Sequence, residues 1–296
     1  MYLSTEQLLY PNVKHSLSPG GLQSLHLKGS GHVNEDVLLV DGKTYGVFDG
    51  ATSLHQVGLD NGKTGGLIAA TIAAEAFKED NSRQLHTVAV EANERIAEAQ
   101  RKTGDLNGDR SRLWSTSMGV VRVGDNRLEY CQSGDAVILV LFKDGGYRLI
   151  STDVNIDRET LTMWKDMAWC DGITIHEALA DQIRTTRQRM NVDYGVLNGE
   201  SEAIQFLKHG AIDLADISDV ILCTDGLFLP REEPAEDQDW RLFTDLYQQG
   251  GLHLIHDHIH TLQESDPDCR KYPRFKKHDD IAALALPFSY LSRHFT

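Results

Sequence analysis

The stretch Val220-Ile221-Leu222-Cys223-Thr224-Asp225-Gly226 decides how this sequence is read. Its first four residues are apolar and two are β-branched, the composition of a short buried strand. The run then stops at a carboxylate followed by glycine. An Asp at the exit of a buried strand is held rigidly while its head faces whatever lies beyond the sheet. The Gly beside it lets a backbone carbonyl come close to a ligand. The design recurs. Val47-Phe48-Asp49-Gly50 closes one apolar run, Asn34-Glu35-Asp36 opens the run at 37–40, and His278-Asp279-Asp280 opens the run at 281–286. Hard divalent cations take such oxygen ligands: carboxylates, carbonyls and waters. Two cations a few ångströms apart can share one bridging carboxylate and polarise one water. Any single Asp-Gly is ordinary turn chemistry, and those at Asp41, Asp144 and Asp171 are read as turns. The argument rests on the four together.

Working outward, the runs at 37–40 and 45–48 flank Asp41-Gly42, a hairpin signal. Residues 62–77 and 85–100 then carry apolar residues at helical spacing, with Glu91, Glu94, Arg95 and Glu98 on the outer side of the second stretch. Short apolar runs at 117–123, 127–131, 136–142 and 147–150, separated by turn residues, read as an antiparallel meander. Residues 152–214 are mixed and more helical. Two helical patterns, 240–248 and 252–263, lie between the strands at 220–223 and 281–286. Strands in runs and helices in runs point to an α+β layered domain. No Pro/Ser/Gly-rich linker divides the chain, so residues 1–296 are expected to form one domain, with 153–214 as a flap-like insertion.

Composition narrows the function classes. The net charge of −15, from 44 acidic and 29 basic residues, repels nucleic acid and anionic lipid, so neither is expected as a partner. No run of about 18 apolar residues is present, and none of the chain is expected to span a membrane. Residues 1–10 lack a basic region and a long apolar region, so no secretory signal is expected. Cys131, Cys170, Cys223 and Cys269 are widely spaced without a CxxC pair, against a disulfide framework or structural zinc. A cytoplasmic setting fits these features. Oligomeric state is not legible.

In order, Glu35-Asp36, Val47-Phe48-Asp49-Gly50, Ser115-Thr116, Ser133-Gly134-Asp135, Cys223-Thr224-Asp225-Gly226 and Asp279-Asp280-Ile281 resemble the motifs of the type 2C class of metal-dependent serine/threonine phosphatases, in its bacterial-like form. The resemblance runs from about residue 22 to 287. It implies a four-layer α-β-β-α sandwich, two antiparallel sheets flanked by helix pairs, with two manganese or magnesium ions at one end. By position, Asp49 would bridge the ions and the Gly50 carbonyl would ligate one. Asp225 and Asp279 would ligate the other, and Glu35 and Asp36 would act through metal-bound waters. The implied reaction is hydrolysis of a phosphomonoester, on a phosphorylated protein or a small phosphorylated substrate, by a water bridging the cations, with Asp36 and Asp49 at the catalytic centre.

The sequence departs from that pattern in three places. Gly31 stands where many members carry an Arg that grips the substrate phosphate. Ala51 stands where some have a His that protonates the leaving oxygen. A third metal would need further carboxylates, and Asp109 is the candidate. The missing grip could come from His32, from the basic stretch that includes Arg274 and Lys277, or from the flap cluster Arg184, Arg187 and Arg189. His253, His256, His258 and His260 are read as a helix surface, and Met163, Trp164, Met167 and Trp169 as packing that seats the flap on the body. Two alternatives compete with the hydrolytic reading: a pseudophosphatase that keeps the fold as a binding module, and an amide hydrolase with an N-terminal nucleophile, for which Met1-Tyr2 is the wrong start.

Overall fold

The computed structural model describes residues 21–51, 62–79, 82–103, 108–151, 154–168 and 172–288. Ten strands form two antiparallel five-stranded sheets. One contains β2 (Val37–Asp41), β3 (Thr44–Gly50), β4 (Thr116–Val123), β5 (Arg127–Ser133) and β8 (Lys208–Asp213), in that spatial order. The other runs β1 (Gln23–Leu27), β10 (Ile281–Pro287), β9 (Ile217–Cys223), β6 (Val137–Phe142) and β7 (Tyr147–Leu149).

The central strands are apolar on both faces because both faces are covered. Leu38, Val47, Val121, Ile138, Val140, Leu222 and Leu284 fill the space between the sheets. Their strand neighbours Leu39, Phe48, Met118 and Val120 pack instead against α1 (Gly65–Glu79) and α2 (Leu85–Thr103). On the far side Leu139, Ile221, Cys223 and Ala283 pack against α6 (Trp240–Glu264). The period-two alternation of each strand thus feeds two cores at once. Each fully buried Leu, Val or Ile contributes roughly 1.5–3 kcal/mol. The result is the expected α-β-β-α sandwich. Helix α6 turns sharply at Gly251, whose backbone is non-helical, so its two segments form the second helix pair. Gln23 in β1 caps the second segment by accepting the Leu252 N–H at 3.0 Å.

The strands of 116–149 do not form one meander. The β4–β5 hairpin belongs to one sheet and the β6–β7 hairpin to the other. The chain crosses the sandwich at Ser133-Gly134-Asp135. Gly134 has φ +78°, and a Cβ there would lie 2.4 Å from the Ser117 Cβ, so only glycine fits the crossing. Because β4 and β6, on either side of the crossing, are both buried almost throughout, the pattern alone could not show where the chain changes sheets.

The segment between β7 and β8 carries three short helices, α3 (Arg158–Asp166), α4 (Ile175–Ala178) and α5 (Ala180–Gln188). Trp164 seats it on the body: its indole donates to the Cys269 carbonyl at 2.9 Å, and Arg270 lies over its ring at 4.4 Å. Met163 does not share this role, being 46% exposed. Trp169, Asp153 and Asp171 lie outside the described residues.

Candidate metal centre

The four acidic motifs converge on one end of the sandwich, two from each sheet. Asp36 enters at the start of β2 and Asp49 leaves near the end of β3. Asp225 follows β9, and Asp279 precedes β10. Their placement is enforced by hydrogen bonds. Thr224 Oγ donates to Asp36 Oδ2 at 2.6 Å and accepts the Ala282 N–H at 2.9 Å, tying both sheets together. Asp280 accepts the Gly29 N–H at 2.8 Å and the Glu35 N–H at 3.0 Å. Ser30 and His278 exchange further bonds, Ser30 N–H to the His278 carbonyl at 2.9 Å and His278 N–H to Ser30 Oγ at 3.1 Å. The loop before β2 is thereby strapped to the loop before β10. At Gly226 a Cβ would sit 1.9 Å from the Asp280 carbonyl oxygen, so glycine is what lets the two acidic motifs touch.

These carboxylates share a cavity of about 170 Å³ lined by Asp36, Asp49, Gly50, Asp135, Asp225 and Asp279. Burial raises the carboxyls of Asp36, Asp49 and Asp225 well above their ordinary value. Repulsion adds to this, from Asp225 and Asp36 on Asp49, from Asp279 and Asp135 on Asp225, and from Asp279 and Asp280 on Asp36. Burial also raises Asp135. Asp157, at the start of α3, is pushed up to about 7 by burial, then by Asp135 and Asp279. Buried, mutually repelling carboxylates are an unfavourable arrangement unless a cation neutralises them. An all-oxygen donor set of this kind suits hard divalent ions. The Ser115 hydroxyl, also on the cavity wall, is buried with no hydrogen-bond partner. The residues present therefore fit a divalent metal centre.

The cavity has a roof of another character. His176 from α4, Ile183 and Arg187 from α5, then Met190 and Tyr194 close it from the 154–206 segment, with Phe275 and Lys276 beside them. Lys276 Nζ donates to Asp279 Oδ1 at 2.9 Å. Burial works against the Lys276 charge, but Asp279, Asp280 and Glu35 outweigh it and raise its pKa. His176 is held low, first by burial and then by Lys276 and Arg187.

Several expected residues lie elsewhere. Asp109 caps a short 3-10 turn, accepting the Ser111 N–H at 3.0 Å and the Ser111 hydroxyl at 2.7 Å, and does not line the cavity. His32 is exposed and also absent from its walls. Arg274 lines an adjoining cavity that shares Asp135, Asp157, Asp225, Lys276 and Asp279 with the first, but its guanidinium holds its own loop together. It bridges Asp266 at 2.8 Å and donates to the carbonyls of Gln263 and Lys277 at 3.0 Å. Lys277 pairs with Glu264 at 3.0 Å. Arg184 pairs with Asp181, and Arg189 with Glu159 and Asp193, on the surface. Of the basic residues singled out, Arg187 lines the cavity, as does Lys276 one position from Lys277. His260 meets Glu264 and His278, with their ligand atoms within 4.8 Å of one another. The His260 and His278 rings are stacked, however, and Glu264 is shared with Lys277.

Asp135 was within reach of sequence reasoning, since it leaves a strand behind a glycine as Asp225 precedes one. Asp157 carried no such signal. For Arg187 the signal is periodicity: Ile183 and Arg187 are spaced i, i+4 on α5 and both line the cavity, while Arg184 lies off that face and Arg189 beyond the helix end.

Two packed antiparallel sheets with carboxylates gathered at their strand ends form a scaffold suited to divalent cations, and the comparisons carry this further. Residues 26–251 match the protein phosphatase 2C family, so the chain belongs to that family and is a protein phosphatase. No curated protein matches it. Its fold is that of solved bacterial phosphatases. The catalytic domain of the serine/threonine phosphatase PstP, solved with two manganese ions, is 18% identical with a TM-score of 0.52, over 90% of this chain and 95% of that one. The Mycobacterium tuberculosis serine/threonine phosphatase PstP/Ppp is 17% identical, with a TM-score of 0.53 over 89% and 96%. PppA of Pseudomonas aeruginosa, a regulatory component of the type VI secretion system, is 17% identical, with a TM-score of 0.53 over 90% and 96%.

Proposed function

We propose that this phosphatase hydrolyses phosphoserine and phosphothreonine in proteins, using two divalent cations, manganese or magnesium, held between the sheets. The observation that carries this reading is the cluster of buried Asp36 with half-buried Asp49 and Asp225 around one cavity, their carboxyls raised by desolvation and by acidic neighbours. Asp49 would bridge the two ions, and the Gly50 carbonyl would complete the coordination of one. Asp225 and Asp279 would hold the other. Glu35 and Asp36 would orient the surrounding waters, and the Thr224 hydroxyl fixes the Asp36 carboxylate for that task. When bound, the ions supply positive charge that activates a water and offsets charge building on the phosphoryl oxygens. The roof residues line the cavity opposite the carboxylates, and Lys276 would hold the Asp279 carboxylate in place through their hydrogen bond. A third ion would find Asp135 and Asp157, rather than Asp109, within the acidic environment.

The test is hydrolysis of a phosphothreonine peptide and of p-nitrophenyl phosphate with manganese and with chelator. Asp225→Asn is expected to lower kcat/KM by a factor on the order of 10³, since each ion supplies several kcal/mol. Turnover that persists in chelator, or an Asp225→Asn variant as active as the parent, sinks the metal mechanism. Among the described residues no helix is long and apolar enough to cross a membrane.

A further inference from the structure

The acidic floor accounts for the cations but not for the substrate anion. A phosphate monoester brings negative charge into a cavity walled by carboxylates, and the Arg that the resemblance places near the first acidic motif is Gly31 here. The N-terminal loop has room for a side chain at Gly31, where a Cβ would approach nothing nearer than 3.5 Å. The grip must therefore come from another element.

Three side chains able to carry positive charge line the cavity: His176, Arg187 and Lys276. Lys276 is committed to Asp279 at 2.9 Å. His176 is edged by Phe275, ring centroids 5.5 Å apart, and burial disfavours its charged form. Arg187 is permanently charged and presents a planar fork suited to two phosphoryl oxygens. Its helix is fixed from several sides. Ile183 and Thr186 are buried, and Tyr194 donates its hydroxyl to the Thr186 carbonyl at 3.1 Å. Arg187 lines the same cavity as Asp36, Asp49, Asp157 and Asp225; burial lowers its pKa, against which Tyr194, Glu35 and Asp157 act.

We propose that Arg187, carried by α5 of the 154–206 segment, is the phosphoryl-binding guanidinium of this enzyme and engages the substrate from the side opposite the metal floor. The phosphate is then held between protein cation and metal cations, and the grip is delivered by the flap rather than by the N-terminal loop. Substrate affinity and the seating of the flap become one equilibrium, because moving α5 moves the ligand for the phosphate. The assignment rests on the phosphomonoesterase reading, and the experiment separates the two.

Inorganic phosphate is titrated calorimetrically into magnesium-saturated parent protein and into Arg187→Gln, Arg187→Lys and Arg184→Gln, alongside manganese-dependent kinetics. Arg187→Gln is expected to weaken phosphate binding at least tenfold and to raise KM by a similar factor, with a smaller change in kcat. Arg187→Lys, which keeps the charge but not the fork, should recover part of the loss and also guards against misfolding of the Gln variant. Arg184→Gln should match the parent. Phosphate affinity within twofold of the parent in Arg187→Gln overturns the assignment, as does a parent that binds no phosphate. Phosphate binding that depends on Arg187 without any metal-dependent turnover would uphold the grip and refute the hydrolytic reading.

Discussion

The floor and the roof of the cavity are built on opposite principles. The floor is made of strand ends whose backbones are locked into ladders: Asp49 pairs with Ser117, and Thr224 is pinned to Ala282. The roof is made of short helices held by a small separate cluster around Trp164, Ile175 and Leu179. Rigidity suits groups that must hold cations at fixed separation. A less deeply anchored element suits the part that must admit a phosphorylated chain and release the product. The difference teaches that metal chemistry and substrate capture can vary independently in this fold.

Variants that separate basic residues of structure from basic residues of binding sharpen this contrast most. Arg274 sits in the cationic stretch yet bridges buried Asp266. Arg274→Ala is expected to destabilise the protein by about 3 kcal/mol, because it leaves a buried carboxylate without its partner. Urea denaturation reads this, and the phosphate affinity of the folded fraction should stay at the parent value. A stable Arg274→Ala protein that has lost phosphate binding would move the grip to the floor side of the cavity.

The floor should also betray itself through pH in the absence of metal. Asp36, Asp49, Asp225 and Asp157 are all harder to ionise in the fold than in the unfolded chain. The folded, chelated protein therefore holds protons that the unfolded chain has released. Its stability should fall as pH rises from about 4, the ordinary aspartate value, through about 7, the value for Asp157. Each kcal/mol lost corresponds to roughly 1.5–2 °C in Tm for a chain of 296 residues. Manganese should restore the loss, more at high pH than at low. A chelated protein whose Tm is flat or rises across that window would contradict the picture of a strained acidic floor.

The smallest effect is expected at the joint between the sheets. Thr224→Val removes the hydrogen bond to Asp36 while keeping the shape, and should cost about 1–2 kcal/mol. It should weaken manganese affinity more than phosphate affinity. Equal losses in both would mean that floor and roof are coupled more tightly than their separate anchoring implies.

How legible each part was follows from the same division. Strand-end carboxylates pointed to the floor, since Asp36, Asp49, Asp225 and Asp279 sit where an apolar run meets a turn, Asp49 and Asp225 beside a glycine. The two helix layers and eight of the ten strands announced themselves by periodicity. β1 and β8 did not, because edge strands with residues such as His26, Lys208 and His209 carry polar side chains on exposed faces and mimic loops. The roof was opaque for a different reason. Three arginines within six residues look alike in charge, and only the helical phase shared with buried Ile183 turns Arg187 inward. Likewise no count of charges reveals that Arg274 already belongs to Asp266, a partnership made by the folded loop.

The hydrogen bond from Thr224 to Asp36 joins residues 188 positions apart and links one sheet to the other. Contacts of such long range are among the last that a folding chain can afford, since closing large loops costs entropy before it gains anything. Neither sheet alone assembles the carboxylate set. Metal uptake should thus coincide with the final docking step on the folding pathway, so that a chain which has failed to bring its two sheets together is also a chain that cannot acquire the ions its chemistry requires.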